Sequence, residues 1–229
     1  MLRIVIIAYA VVGVSMVSAQ NRMTPNPDSD FTVNRAGSTI TRYIGTDERV
    51  VVPSVINGNR ITHIGNGAFQ NNKVITQVVL PSSIISIGNS AFYNSTLRSI
   101  TIQGALNSIG NNAFRGTNLQ AFITWPNGLQ KIPNGLYQSS DLSGSLVIPE
   151  GITEIGSLAF SETQIQSVTL PRTIQKIGHW AFSNCKLLRT VTIPSSVTSI
   201  IFENETFLDT NLNDASKKAL TDRGHNGRF

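Results

Sequence analysis

Residues 78–92 read VVLPSSIISIGNSAF, and the second half of this stretch returns along the chain at a nearly fixed step. In each copy an Ile-Gly pair is followed, two residues later, by Ala-Phe. The copies begin at Ile64, Ile87, Ile109, Ile155 and Ile177, with a variant at Ile132 and a decayed copy at Ile200. Successive copies are 22 or 23 residues apart. A fixed period of this length predicts a solenoid, in which each unit stacks on the next.

Each unit is predicted to contribute one short strand to a single parallel sheet, as in Val168-Thr169-Leu170 before Pro171. Side chains alternate across a strand, so the outer two point into the core and the middle one points to solvent. Proline ends the strand because it has no N–H to donate. The Gly-x-x-Ala-Phe segment is predicted to form one helical turn, and the phenylalanines to stack as a spine. Pro133 replaces the glycine in one copy, so this position is predicted not to require a positive φ.

The two ends of the chain differ from the repeats. Residues 1–19 are predicted to be a signal peptide, with a positive charge at Arg3, an apolar run over 4–17 and a small-residue cleavage site. The run is too short for a comfortable membrane span. The predicted organisation is a signal peptide (1–19), a flexible leader (20–30), a β-hairpin cap (31–45), the repeat domain (46–210), and a cap helix with tail (211–229). Asp214 is predicted to cap that helix.

The repeated pattern Leu/Ile-Pro-x-x-Ile-x-x-Ile-Gly-x-x-Ala-Phe-x-x-Cys/Thr-x-Leu resembles that of the BspA-like leucine-rich repeat family over roughly residues 45–210. The resemblance implies a leucine-rich-repeat solenoid without enzymatic activity, and roles in adhesion to host matrix proteins or in protein–protein contact. The expected fold class is α/β, with short parallel strands on one face, helical turns and loops on the other, about seven coils, and caps at both ends. The family shares no defined binding residues, so none is transferred to this chain.

Candidate binding residues come from the strand pattern and from the irregular fourth unit. The solvent-facing row is predicted to include Val79, Thr101, Thr124, Val147 and Thr169, with Phe122 as the one large apolar residue beside it. These residues are either good strand formers on an exposed sheet or a protein-binding face. Trp125 and Leu136 are bulkier than their counterparts in other units, and Tyr137 replaces the usual phenylalanine. They indicate either a repacked repeat or a local pocket that docks a partner.

Composition and residue placement exclude several functions. The formal net charge of +5 is too small and too dispersed for a nucleic-acid-binding face. A single cysteine, Cys185, excludes an intramolecular disulfide, and its place in the repeat predicts a small buried side chain. Lys131, Glu154 and Lys176 are predicted to alternate in sign along adjacent coils. The acidic residues of units four to six share no row with a histidine or nucleophile, so no catalytic residue, metal site or cofactor is predicted; these residues are Asp141, Glu150, Glu154 and Glu162.

The favoured hypothesis is an exported binding module that engages a host matrix or envelope protein through its sheet face. It would be periplasmic, at the cell surface or secreted, with no stable membrane span after signal cleavage. The alternative is a self-associating scaffold of the cell envelope, with the same face or the Trp125 region as the subunit interface. A carbohydrate hydrolase that uses Glu150 or Glu154 is a third hypothesis.

Overall fold

The computed structural model describes residues 24–126 and 128–229, so the predicted signal peptide lies outside the described residues. Among these residues the helical elements are a 3₁₀ turn, Asp28–Asp30, and one α-helix, α1 (Asp214–Thr221). The strands in chain order are β1 (Phe31–Val33), β2 (Thr39–Tyr43), β3 (Arg49–Val51), β4 (Val55–Ile56), β5 (Asn59–Arg60), β6 (His63–Ile64), β7 (Gln77–Leu80), β8 (Ser86–Ile87), β9 (Ser99–Ile102), β10 (Ser108–Ile109), β11 (Lys131–Ile132), β12 (Ser143–Val147), β13 (Glu154–Ile155), β14 (Gln164–Thr169), β15 (Lys176–Ile177), β16 (Thr190–Thr192) and β17 (Ile201–Phe202).

The strands and turns form seven stacked coils, each closed by a buried Leu or Ile. Coils one to seven cover residues 45–75, 76–97, 98–119, 120–142, 143–165, 166–188 and 189–212. The predicted solenoid of about seven coils is confirmed, because strands of successive coils pair in parallel and in register.

Two rows of parallel strands run along the solenoid, where a single sheet was predicted. The first row consists of the sheets β3-β7-β9 and β12-β14-β16. The second row consists of β2-β6-β8-β10, extended by β1, and β11-β13-β15-β17. Both rows are interrupted at coil four. Its described residues contribute no strand to the first row, and its strand β11 does not pair with β10.

The predicted aromatic spine is present and continuous through the interruption. Neighbouring ring centroids along the spine are 4.8–5.9 Å apart and the rings are nearly parallel. Its members are Phe69, Phe92, Phe114, Tyr137, Phe160, Phe182 and Phe207, all buried. Aromatic pairs at these separations stabilise a core beyond the area they bury.

The Gly-x-x-Ala-Phe segments form tight turns and not the predicted helical turn. In coil two, Ser90 and Asn94 both have a φ of 53°, and the equivalent positions of other coils are also left-handed. Left-handed residues stop a right-handed helix from propagating. The repeated glycine is not one of these residues: Gly88 has no positive φ, as Pro133 at the equivalent position predicts.

The amino-terminal segment packs on the first coil. Strands β1 and β2 form an antiparallel hairpin. Residues 24–30 belong to the predicted flexible leader, and within them Asn26 pairs with the outer edge of β3. Its backbone N–H donates to the Val51 carbonyl at 2.8 Å, and its side-chain oxygen accepts the Val51 N–H at 2.8 Å. This pairing satisfies backbone groups that an uncovered edge strand would expose.

The carboxyl-terminal helix covers the other end of the first row. Asn213, and not the predicted Asp214, is its N-cap, since the Asn213 side chain accepts the Ser216 N–H at 2.9 Å. The Ser216 hydroxyl in turn accepts the Val191 N–H from β16 at 3.0 Å. Helix α1 therefore satisfies a backbone donor at the outer edge of the last first-row strand.

The last repeat has a different register from the one predicted. Phe202, and not Ile200, pairs with Ile177 in the second row. Two residues are therefore inserted before the motif, and Phe207 continues the spine on Phe182.

His225 gives the carboxyl-terminal cap a pH dependence. Its buried ring packs against Phe202, Phe207 and Phe229, and within the described residues neither ring nitrogen has a hydrogen-bond partner. Burial lowers the pKa of His225 below its ordinary value. The unfolded chain therefore binds a proton first on acidification, and stability should fall as the pH drops below about 6.5, by up to about 1.4 kcal/mol per pH unit.

This prediction is tested by urea unfolding of wild type and His225→Phe across that pH range. The variant should lose part of the acid sensitivity, because its ring cannot be protonated. The same dependence of unfolding free energy on pH in both proteins would show that His225 is not the group responsible, since the other histidines remain in each.

Candidate functional site

Coil four lacks a first-row strand because its side chains do not alternate. Phe122 packs edge-on to Tyr137 at 5.9 Å, and the adjacent Ile123 is buried as well. Two successive inward side chains are incompatible with an extended strand. The placement of Phe122 on the solvent face is therefore wrong. The reason is a one-residue insertion between Leu119 and Ile123, relative to coil three.

Tyr137 is a buried spine residue and not part of a binding surface. Its hydroxyl accepts the Ile123 N–H at 3.3 Å. In a regular first row, that N–H would point toward the next coil and join the ladder. Burial raises the pKa of Tyr137 well above its ordinary value, so the hydroxyl stays neutral. The bulky residue thus satisfies a donor that the missing strand leaves unpaired.

We expect Tyr137→Phe to lower the free energy of unfolding by about 1–2 kcal/mol, because the buried Ile123 N–H loses its acceptor while the ring is kept. Tyr93→Phe is the matched control, since that ring is only half buried and a change near zero is expected. Urea unfolding measures both. Equal effects in the two variants would show that the Tyr137 hydroxyl does not contribute.

Pro133 accounts for the interruption of the second row. In regular coils the glycine N–H donates to the isoleucine carbonyl of the preceding coil, as Gly110 does to Ile87 at 2.9 Å. Proline has no such donor, so the bond from position 133 to Ile109 cannot form. An asparagine ladder on the turn side still joins the coils, with the Asn134 N–H donating to Asn111 Oδ1 at 3.0 Å. The sequence reasoning missed this ladder.

The predicted face residues are distributed unevenly. Thr101, Thr124 and Thr169 are exposed, as predicted. Val147 is 63% exposed, whereas Val79 is only 6% exposed. Val79 lies on the central strand β7 between two paired neighbours, but Val147 lies on the edge strand β12 beside the interruption. The prediction that Val79 faces solvent is therefore wrong.

Trp125 lies between the core and a surface cavity. Its ring packs edge-on to Tyr137 at 6.4 Å. It also lines a cavity of about 370 Å³ at the edge of coils four and five, together with Leu129, Pro149 and Ile152. Of the two residues predicted for the irregular coil, only Trp125 reaches a surface.

A second cavity, of about 240 Å³, lies in the first row between coils three and four. We call it the row gap; its lining is Ile100, Thr101, Ile102, Phe122, Ile123 and Thr124. Ile100 and Ile102 are only half buried there, whereas their counterparts Val78 and Leu80 are 1% and 0% exposed. The sequence reasoning did not select these isoleucines, although Gln103 in place of the usual proline marks the same coil as irregular.

Charges gather at another edge of the solenoid, in the second row. Lys131 and Glu154 are 2.7 Å apart, and Lys176 lies 3.9 Å from Glu154 and 2.6 Å from Glu203. The predicted alternation is present. Lys176 lowers the pKa of the Glu203 carboxyl by hydrogen bonding to it. Exposed pairs of this kind contribute about 0–1 kcal/mol each, so the ladder is a solvated edge.

Among the other reactive groups, the partly exposed His179 imidazole lies 3.5 Å from the Glu203 carboxylate. Cys185 is buried as predicted, and burial raises the pKa of its thiol to about 11. In the described part of the chain, no cluster of three or more His, Cys, Asp or Glu side chains is arranged to hold a metal ion. Within residues 24–126 and 128–229, no helix has both the length and the hydropathy needed to cross a membrane.

The known proteins to which this chain is similar are leucine-rich repeat proteins. A family model described as BspA type Leucine rich repeat region matches residues 51–155 and 120–221, in six copies. The crystal structure of the T. pallidum Leucine Rich Repeat protein is similar, with 29% identity, a TM-score of 0.78, and 90% of this chain and 99% of that chain covered. A leucine rich cell surface protein from Faecalibacterium prausnitzii has 28% identity and a TM-score of 0.59, with 73% of this chain and 53% of that chain covered. No curated protein matches the chain.

Proposed function

The chain belongs to the BspA-type leucine-rich repeat family, and we propose that it is a non-catalytic module that binds another protein through its first-row face around coil four. The observation that carries this proposal is the interruption of an otherwise regular face. There the exposed Thr101 and Thr124 line a cavity together with the half-buried Ile100, Ile102 and Phe122. The exposed Val147 lies on the edge strand β12, on the other side of coil four. Repeat proteins use their continuous surfaces for binding, and an irregular coil supplies a place where one partner can be distinguished from another.

We further propose that the protein is exported, after removal of residues 1–19, and that its partner is a host matrix or envelope protein. The signal-peptide pattern supports export. The similarity to a protein described as a cell surface protein supports an extracellular or envelope location. Protease treatment of intact cells, followed by detection of this chain, tests the location; protection from the protease would contradict surface exposure.

Binding is tested with the chain from residue 20 onward against purified host matrix proteins and isolated envelope proteins. The double variant Thr124→Arg/Val147→Arg should weaken any saturable interaction by about tenfold or more, because each arginine places a charge on an uncharged face. The control is Gln70→Arg/Leu187→Arg, which adds the same charges at exposed positions on the turn side. Surface plasmon resonance measures both. Absence of saturable binding, or equal losses in the two variants, would contradict the proposal.

Self-association is a second candidate function, favoured by the exposure of Val147 at the edge strand β12. Two copies that meet there would bury this side chain. Light scattering at increasing protein concentration distinguishes this function, since a monomer at all concentrations excludes it.

A further inference from the structure

We propose that the row gap accepts an extended, uncharged segment of a partner protein as an added strand on β9. This inference rests on the proposed function and specifies how the partner binds. Strand addition supplies affinity through backbone hydrogen bonds and specificity through alternate side chains.

The hydrogen-bond pattern of β9 identifies the open edge. The Ser99 N–H donates back to Thr76, and the Gln103 N–H donates back to Leu80. In a β-strand the N–H and C=O groups of successive residues point to opposite sides. Because Ser99 and Gln103 bond back to coil two, the N–H and C=O groups of Ile100 and Ile102 point toward coil four. Coil four forms no ladder with them, because β9 is the last strand of its sheet. The row gap therefore presents strand-pairing groups without a strand opposite them.

The outer edges of the same row show how this chain treats such groups. At the first edge, Asn26 bonds both the N–H and the carbonyl of Val51. At the last edge, Ser216 accepts the Val191 N–H. Segments of the chain thus cover both outer edges, the first through one backbone and one side-chain hydrogen bond of Asn26. The inner edge at β9 has no such cover among the described residues.

The lining of the row gap restricts the chemistry of the occupant. Its described lining contains isoleucine, phenylalanine and threonine side chains and no ionisable group. Burying an unpaired charge against this lining would be costly. The half-buried Ile100 and Ile102 provide apolar surface for alternate side chains of the added strand. The matching segment is therefore extended and uncharged, with small or β-branched apolar residues at every second position.

The test uses the chain from residue 20 onward, immobilised and selected against a phage-displayed library of random linear peptides. A selected peptide is then synthesised with single N-methyl groups at successive positions. Because only every second N–H pairs with the edge, N-methylation should weaken binding by about tenfold at alternate positions and little at those between.

Position is tested with a photo-crosslinker on Thr101→Cys, with Thr169→Cys as the matched control on an uninterrupted part of the same row. The buried Cys185 should not compete for the label. Crosslinking from position 101 alone supports the inference. No selected peptide, equal N-methyl effects at all positions, or crosslinking from position 169 would overturn it. A dimer crosslinked through position 101 would also overturn it, because the occupant would then be a second copy.

These outcomes are separable from a failure of the proposed function. Saturable binding of a whole protein that is lost in Thr124→Arg/Val147→Arg, without alternating N-methyl effects, keeps the function and rejects strand addition. No saturable binding of any protein or peptide rejects both.

Discussion

Replacement of Phe92 by alanine is expected to lower the free energy of unfolding by about 3–5 kcal/mol. The ring is fully buried and stacks between Phe69 at 4.8 Å and Phe114 at 5.5 Å. The variant loses the transfer free energy of the ring and leaves a cavity between adjacent coils. The cavity is costly because each coil of a solenoid is stabilised only by contacts with the coils next to it. Urea unfolding monitored by circular dichroism measures the change as a lower midpoint.

Tyr93→Ala is the control for this prediction, since it removes an aromatic ring from the next position of the same coil. Tyr93 is half buried and lies outside the spine, with the Arg115 guanidinium 5.6 Å from its ring centre. Its removal should cost about 1 kcal/mol or less. If the two alanine variants are equally stable, the spine does not hold the coils together as proposed.

The regular coils could be predicted from the sequence because one local pattern determines both strand position and core packing. The aromatic spine and the conformation of the repeated glycine follow from repetition of the pattern and from Pro133. Side-chain alternation also places Thr101 and Thr169 on the exposed face correctly. In these coils local preference and stacking favour the same structure.

Coil four could not be predicted in the same way, because its deviations act together. The sequence shows that Phe122, Pro133 and Tyr137 are unusual. It does not show that Pro133 interrupts the second row, or that the Tyr137 hydroxyl accepts the N–H left unpaired by the missing first-row strand. The exposure of Ile100 and Ile102 depends on a strand that is missing from the neighbouring coil. Such effects come from contacts between coils, which no single repeat encodes.

The repeated glycine leads to the second large prediction, because its position requires the absence of a side chain and not a special φ. A Cβ at Gly110 would lie 2.4 Å from the Asn89 backbone nitrogen and 2.6 Å from the Gly88 carbonyl carbon. Both atoms belong to the backbone, so no rotamer change relieves the overlap. Gly110→Ala is therefore expected to cost about 3 kcal/mol of unfolding free energy, by forcing adjacent coils apart.

Gly58→Ala separates this steric cost from backbone strain. Gly58 has a φ of 77° in the turn between β4 and β5, and a Cβ there would meet nothing within 4 Å. Its substitution should cost about 1–2 kcal/mol, from the left-handed conformation alone. A larger loss in Gly110→Ala, measured by urea unfolding, would identify close approach of the coils as the reason for the repeated glycine. In coil four the equivalent position carries Pro133, and the second row is interrupted there. A Gly110→Ala variant no less stable than Gly58→Ala would show that the coils can move apart without cost.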